Sequence, residues 1–246
     1  AWWITTARPC GRWASAIPTR ATWARSIPHV RACRSSSASN RVRRAAPCDW
    51  WTPAAARRYG KTGGFAHLAT LVKQVRAGRP GSLLLDGGDL WQGSATALWT
   101  NGQDMVDASR LLGIDIMTGH WEFTYLEDEV LANAEAFSGE FISQNTLATE
   151  DALFEGVPVY DEDSGHIFKP YEIRQLNGHP VAFIGQSFPY TPIANPRRFI
   201  PNWTFGIRVS ERAELVAEIR AEHKPNAVVL LSHNGADVDI KLASRV

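Results

Sequence analysis

The chain has 246 residues, 44% apolar and 21% charged, enough for one α/β domain or one and a half small ones. A formal charge of +1 gives no electrostatic case for nucleic acid or an anionic membrane surface as a partner. No apolar run reaches the length of a membrane span, and no charged, apolar and cleavage regions of a signal peptide are recognisable.

That average hides a split. The first 58 residues hold eleven Arg, one acid (Asp49), and no Leu, Lys or Glu. They also carry all three cysteines, Cys10, Cys33 and Cys48, and six of the ten Trp. An organellar transit segment would be acid-poor and Arg-rich in this way, but this stretch lacks amphipathic periodicity. A nucleic-acid-binding tail with stacking aromatics is a second reading, testable by salt-sensitive DNA binding of a peptide spanning residues 1–58. The third, which the composition favours, is an out-of-frame translation of GC-rich DNA, rich in Arg, Ala, Pro, Ser and Trp. On it, residues 1–53 form a disordered leader, and cysteines without a C-x-x-C pair propose neither zinc nor disulfides.

From Tyr59 the pattern alternates helix and strand. Phe65, Leu68, Leu71, Val72 and Val75 recur at helical spacing and predict a helix over 64–77, stopped by Gly78, Pro80 and Gly81. Leu83 to Leu85 is the short apolar run of a strand covered on both faces, running into Asp86-Gly87-Gly88-Asp89. A helix over 105–112 ends at Gly113. The next strand, 114–117, opens onto Thr118-Gly119-His120-Trp121-Glu122. A helix over 127–137 precedes a strand at 141–143 and the polar pair Gln144-Asn145. Residues 169–175 and 180–184 form a hairpin around Asn177-Gly178. The Pro-rich stretch 188–208 reads as a functional loop or lid. A helix over 211–223 leads to a strand over 227–231, ending in Ser232-His233-Asn234-Gly235, and the chain stops within apparent secondary structure.

Four strands thus end in polar loops bearing a possible ligand: Asp89, His120, Asn145 and His233. In open α/β sheets that edge is where ligands bind, and carboxylate, imidazole and amide donors suit Mn, Zn or Fe. Taken singly, each has an ordinary explanation, a capped turn for the Asp or a hydrogen-bonded structural His. Their joint occurrence at equivalent strand ends argues for a metal site. Asp86, at the strand end itself, is read as a support behind the ligands, as are Glu122 and Asn145. His67, His166, His179 and His223 read as structural or solvated, Met105 and Met117 as core, and 161–163 as a solvated turn.

These motifs carry a family resemblance. Gly-Gly-Asp after one strand, Gly-x-x-Glu-Phe after the next and a strand ending in Ser-His resemble the calcineurin-like metallophosphoesterases of the 5′-nucleotidase branch. Within it, residues 59–68, 86–93, 119–125, 185–196 and 237–246 resemble the SoxB-type thiosulfohydrolases. The likeness runs from about 54 to 246 and is absent over 1–53. It implies an α/β fold of the metallophosphoesterase type, layered αββα, with 54–246 a partial catalytic domain cut at both ends of its metal site.

By position, Asp89 resembles the bridging carboxylate and His233 a ligand of the second metal. His120 falls where relatives have the Asn of Gly-Asn-His-Glu, which implies a ligand role. Two ligand loops of the family, Asp-x-His upstream and Gly-His-Thr-His downstream, are not found here. The resemblance implies two divalent ions, manganese, that acidify a water and polarise the substrate. It further implies release of sulfate from a cysteine S-thiosulfonate on a SoxYZ-type carrier protein in the periplasm, with no nucleic acid and no membrane as partner. Trp121 stands where nucleotidases have a His that helps the ester oxygen depart. A sulfur leaving group needs no such acid, so Trp121 is assigned to the substrate pocket. The rival is a 5′-nucleotidase-like phosphomonoester hydrolase. With two ligand loops missing, the chain itself is expected to be inactive.

Overall fold

The computed structural model describes residues 2–4 and 64–245. The expectations for the Arg-rich leader, beyond its residues 2–4, and for the 59–63 part of the first motif lie outside the described residues.

The first sheet is built from β1 (Trp2–Ile4), β2 (Leu83–Asp86), β3 (Ile116–Met117) and β4 (Glu140–Phe141), in that order. β1 runs antiparallel to β2, and β2, β3 and β4 are parallel. The second sheet joins β6 (Tyr171–Leu176), β7 (His179–Gln186) and β9 (Ala227–Ser232). Its hairpin turns at Asn177-Gly178, both with positive φ as a two-residue loop requires, and β9 lies parallel to β7. A two-stranded ribbon pairs β5 (Leu147–Ala148) with β8 (Trp203–Thr204).

Strand alternation fixes the layers. On β2, Leu84 packs toward the helices α1 (Phe65–Gly78), α3 (Gln103–Leu112) and α4 (Glu127–Ala136), in a core with Val72, Val106, Met117 and Val130. Its neighbour Leu85 points the other way and, with Ile116, meets Val181, Phe183 and Leu231 of the second sheet. Ala182 and Ile184 face outward against Val216 and Ile219 of α7 (Val209–Glu222). The order is helix, sheet, sheet, helix, the αββα arrangement expected. Each of the two central sheets is covered on both faces, so both need the near-continuous apolar runs that β2, β7 and β9 carry.

Several elements differ from expectation. The strand predicted over 114–117 is cut to Ile116–Met117. Asp115 stays bonded to both neighbours through its backbone, its N–H donating to the Leu84 carbonyl and its carbonyl accepting the Glu140 N–H, each at 2.9 Å, while its carboxylate also accepts the Leu84 N–H at 2.7 Å and pairs with Arg76 at 2.6 Å. Leu71, assigned to the buried face of α1, is 54% exposed. The stretch 188–208 is structured: α6 (Thr191–Ala194), a 3-10 turn (Arg197–Phe199) and β8 lie within it. Helices α2 (Ala95–Trp99), α5 (Glu150–Glu155) and α8 (Ala236–Ala243) escape periodicity, being eight residues or fewer. The first two carry readable caps, Ser94 and Thr149, whose side chains accept backbone N–H groups. No helix among the described residues is long and apolar enough to cross a membrane.

Candidate metal centre

The loops after β2 and β3 and the end of β9 meet at one rim. The parallel register Asp86↔Met117 sets the first two side by side. Gln186↔Ser232 brings the end of β9 level with the end of β7. Two backbones then approach closely. A Cβ on Gly88 would lie 2.9 Å from Gly119 C and Thr118 O, and its φ is +93°. Only glycine satisfies both demands. The next residue, Asp89, also has a positive φ of 68°, an uncommon conformation for a residue with a side chain.

Asp89, His120 and His233 come together there, one ligand atom of each lying within 4.8 Å of the others. Asp89 Oδ2 is 3.9 Å from His120 Nδ1, too far for a hydrogen bond. The imidazoles of His120 and His233 stack in parallel, centroids 3.9 Å apart and 2° from coplanar orientation. Two imidazolium ions would repel in this arrangement. Burial, and then the neighbouring His233, push the His120 pKa down to about 4, so its ring is neutral at pH 7. The separation of 3.9 Å between Asp89 and His120 is therefore no ion pair at neutral pH. Asp89 is shifted up by burial and then by the charge of Glu122.

The arrangement fits a divalent cation. Ligand atoms at about 2.0–2.2 Å from a zinc-like ion lie up to about 4.4 Å apart, close to the observed spread. His120 Nδ1 is buried with no hydrogen-bond partner among the described residues, an unmet need that a cation would fill. His233 Nδ1 lies 2.7 Å from the Gly87 carbonyl, which can only accept. Nδ1 therefore carries a proton, which leaves Nε2 as the ring nitrogen available to a metal, the arrangement usual for metal-binding histidine.

Glu122 organises the ligand loops. Fully buried in the 3-10 turn Trp121–Thr124, its carboxylate accepts four backbone N–H groups. Those of Asp89 (3.1 Å) and His120 (2.6 Å) reach Oε2. Those of Leu90 (2.6 Å) and Trp91 (3.2 Å) reach Oε1. Asp86 accepts the Gly88 N–H at 2.9 Å, and burial pushes its carboxyl up to about 6. Trp121 is half-buried with its ring edge-on to His120, centroids 5.2 Å apart.

Asn145, one of the four polar strand-end residues and read as a support behind the ligands, is fully engaged by its neighbours. Its Oδ1 accepts from Ser187 N (2.8 Å) and Ser143 Oγ (3.2 Å), and its Nδ2 donates to Ser187 O (2.9 Å) and Gly206 O (3.0 Å). Every lone pair and proton of the amide is used, so it braces the structure and coordinates nothing. Of the histidines read as structural, His166 bonds the Gln144 carbonyl and Ser164, and His223 the Tyr171 hydroxyl. Two contributors went unread. Phe188 packs edge-on against His120, centroids 4.5 Å apart, and the Gly87 carbonyl orients His233. A backbone carbonyl leaves no signal in sequence; Phe188 had one, at the start of the Phe-Pro-Tyr-Thr-Pro stretch.

No family model matches the chain. It is 30% identical over 190 residues to the 5′-nucleotidase of Rattus norvegicus, covering 75% of this chain and 30% of that protein. Among solved structures it superposes on the sulfate thiohydrolase SoxB of Thermus thermophilus with a TM-score of 0.68. The identity is 33%, over 78% of this chain and 34% of that one. A 5′-nucleotidase precursor, also from Thermus thermophilus, gives a TM-score of 0.61 at 25% identity, over 74% and 33% of the two chains. The chain spans about a third of the length of the relatives it matches.

Proposed function

We propose that this chain, which belongs to the SoxB and 5′-nucleotidase superfamily of metallophosphoesterases, is the part of a dinuclear metal hydrolase carrying Asp89, His120 and His233, and that the whole enzyme releases sulfate from a cysteine S-thiosulfonate. The convergence of those three side chains carries the hydrolase reading. When bound, two divalent ions, manganese by resemblance, would acidify a water and offset the charge of the sulfonate oxygens. The chain's own residues prepare that site. His120 offers a neutral ring, His233 a fixed tautomer, and Glu122 holds the Asp89 and His120 loops in register.

Trp121 supports the sulfur substrate. An indole N–H donates a hydrogen bond but cannot act as a general acid near neutral pH. An alkoxide leaving a phosphate ester benefits from such an acid, whereas a sulfur anion departs without one. In the proposed reaction the water oxygen bonds to the sulfonate sulfur and the sulfur–sulfur bond breaks. Its electron pair stays with the carrier's sulfur, and the protons of water pass to solvent. The substrate arm would belong to a SoxYZ-type carrier protein, with the periplasm as compartment.

A second reading, a phosphomonoester hydrolase acting on nucleotides, is favoured by the identity to the rat 5′-nucleotidase. A full-length enzyme containing this segment separates the two, assayed with a thiosulfonate-bearing carrier peptide and with AMP. Sulfate release without phosphate release is expected. Phosphate from AMP with no sulfate from the peptide would overturn the substrate assignment.

A further inference from the structure

We infer that Asn145 and Ser187 are positioning residues for the metal centre, acting on His120 through a two-step backbone clamp; the inference rests on the metal-centre reading. Asn145 grips the Ser187 residue from both sides, accepting its N–H at 2.8 Å and donating to its carbonyl at 2.9 Å. The 187–188 segment in turn grips Gly119, the residue before His120, from both sides. Ser187 Oγ accepts the Gly119 N–H at 3.3 Å, and the Phe188 N–H donates to the Gly119 carbonyl at 3.1 Å. Phe188 then lays its ring edge-on against the His120 imidazole.

The clamp is anchored in a solvent-inaccessible polar layer. Thr118, Ser143, Asn145, Thr146, Gln186 and Ser187 are all fully buried. Ser187 Oγ donates to Ser143 Oγ at 2.8 Å and lies 3.2 Å from Thr118 Oγ1. Gln186 donates to the Gly206 carbonyl that Asn145 also holds, and accepts from Arg212 of α7 at 2.9 Å. Away from water such bonds are stiff, and breaking one leaves an unpaired group with no solvent to turn to. The His120 loop is thus tied to the first sheet by Glu122 and to the second by Ser187. That accounts for an Asn at a strand end that ligates nothing itself.

The test is a visible-absorption titration of the full chain with Co²⁺, for wild type, Ser187→Ala and Asn145→Ala, with apo circular dichroism as the control for folding. Loss of a supporting partner of this kind typically costs about 10–100-fold in metal affinity. Asn145→Ala is expected to weaken Co²⁺ binding by that much. Ser187→Ala keeps the Asn145 bonds to the backbone of residue 187 but drops the Gly119 N–H together with the hydroxyl contacts to Ser143 and Thr118, so about tenfold with an altered d–d band is expected. If Asn145→Ala fails to fold, Ser187→Ala decides alone. Folded variants that bind Co²⁺ with wild-type affinity and spectrum would overturn the clamp and leave the metal centre standing. A wild-type chain that binds no Co²⁺ would overturn the metal centre itself.

Discussion

Glu122→Gln is the most searching single perturbation, because one buried carboxylate holds two ligand loops together. Its two oxygens accept four backbone N–H groups, from Asp89, Leu90, Trp91 and His120. A glutamine keeps one acceptor oxygen and turns an NH₂ group toward the other two donors. Two buried N–H groups then lose their partner and meet a donor. Each unsatisfied group costs about 1–3 kcal/mol, giving roughly 2–6 kcal/mol in all. At about 2–4 °C per kcal/mol for a domain of this size, the melting temperature should fall by roughly 4–24 °C. Metal affinity should fall as well, since the same bonds hold Asp89 and His120 in place. Thermal unfolding of the metal-free chain, followed by metal titration of the folded variant, reads both effects. A melting temperature within about 2 °C of wild type, together with unchanged metal affinity, would refute the clamp role.

Other outcomes follow from the same geometry. For metal-free protein, the His120 pKa of about 4 lies below the ordinary 6.5, so the unfolded chain binds the extra proton and stability falls from pH 6.5 toward pH 4. Asp86, raised to about 6, has the opposite sign: the folded chain takes the proton first, and stability rises as pH falls from 6 toward 3.8. Wild type should therefore show a shallow profile, while Asp86→Asn uncovers a loss of stability as pH falls from 6.5 to 4. Urea unfolding across that range checks this, and an equally shallow Asp86→Asn profile would count against it. In a full-length enzyme containing this segment, Trp121→His should gain phosphatase activity on AMP; no gain would remove the leaving-group argument. The purified 246-residue chain should release neither sulfate nor phosphate, because the three ligand-bearing side chains clustered among its described residues are too few for two ions. Measurable turnover by that chain would contradict the ligand count.

Local features were legible in the sequence. Asp89, His120 and His233 each follow an apolar strand directly, and a ligand at a strand end is visible without knowing the sheet. Leu84 and Leu85 likewise announce a strand buried on both faces. The meeting of the three loops is a matter of register, Asp86↔Met117 and Gln186↔Ser232, which no local pattern encodes. Asn145 could be placed behind the ligands but not given its partners, because a polar strand end looks the same whether its amide faces an ion or a neighbouring backbone. Glu122 was placed behind the ligands, but its four backbone donors come from two loops separated by some thirty residues. The Asp115 carboxylate was equally silent in the sequence, since its partner Arg76 sits on a helix 39 residues earlier.

The most direct test of the metal centre is anomalous diffraction from a crystal of this chain soaked in Zn²⁺. A peak within about 2.0–2.2 Å of the Asp89 carboxylate and the free ring nitrogens of His120 and His233 is expected. A peak elsewhere, or none with all three side chains well ordered, would contradict it.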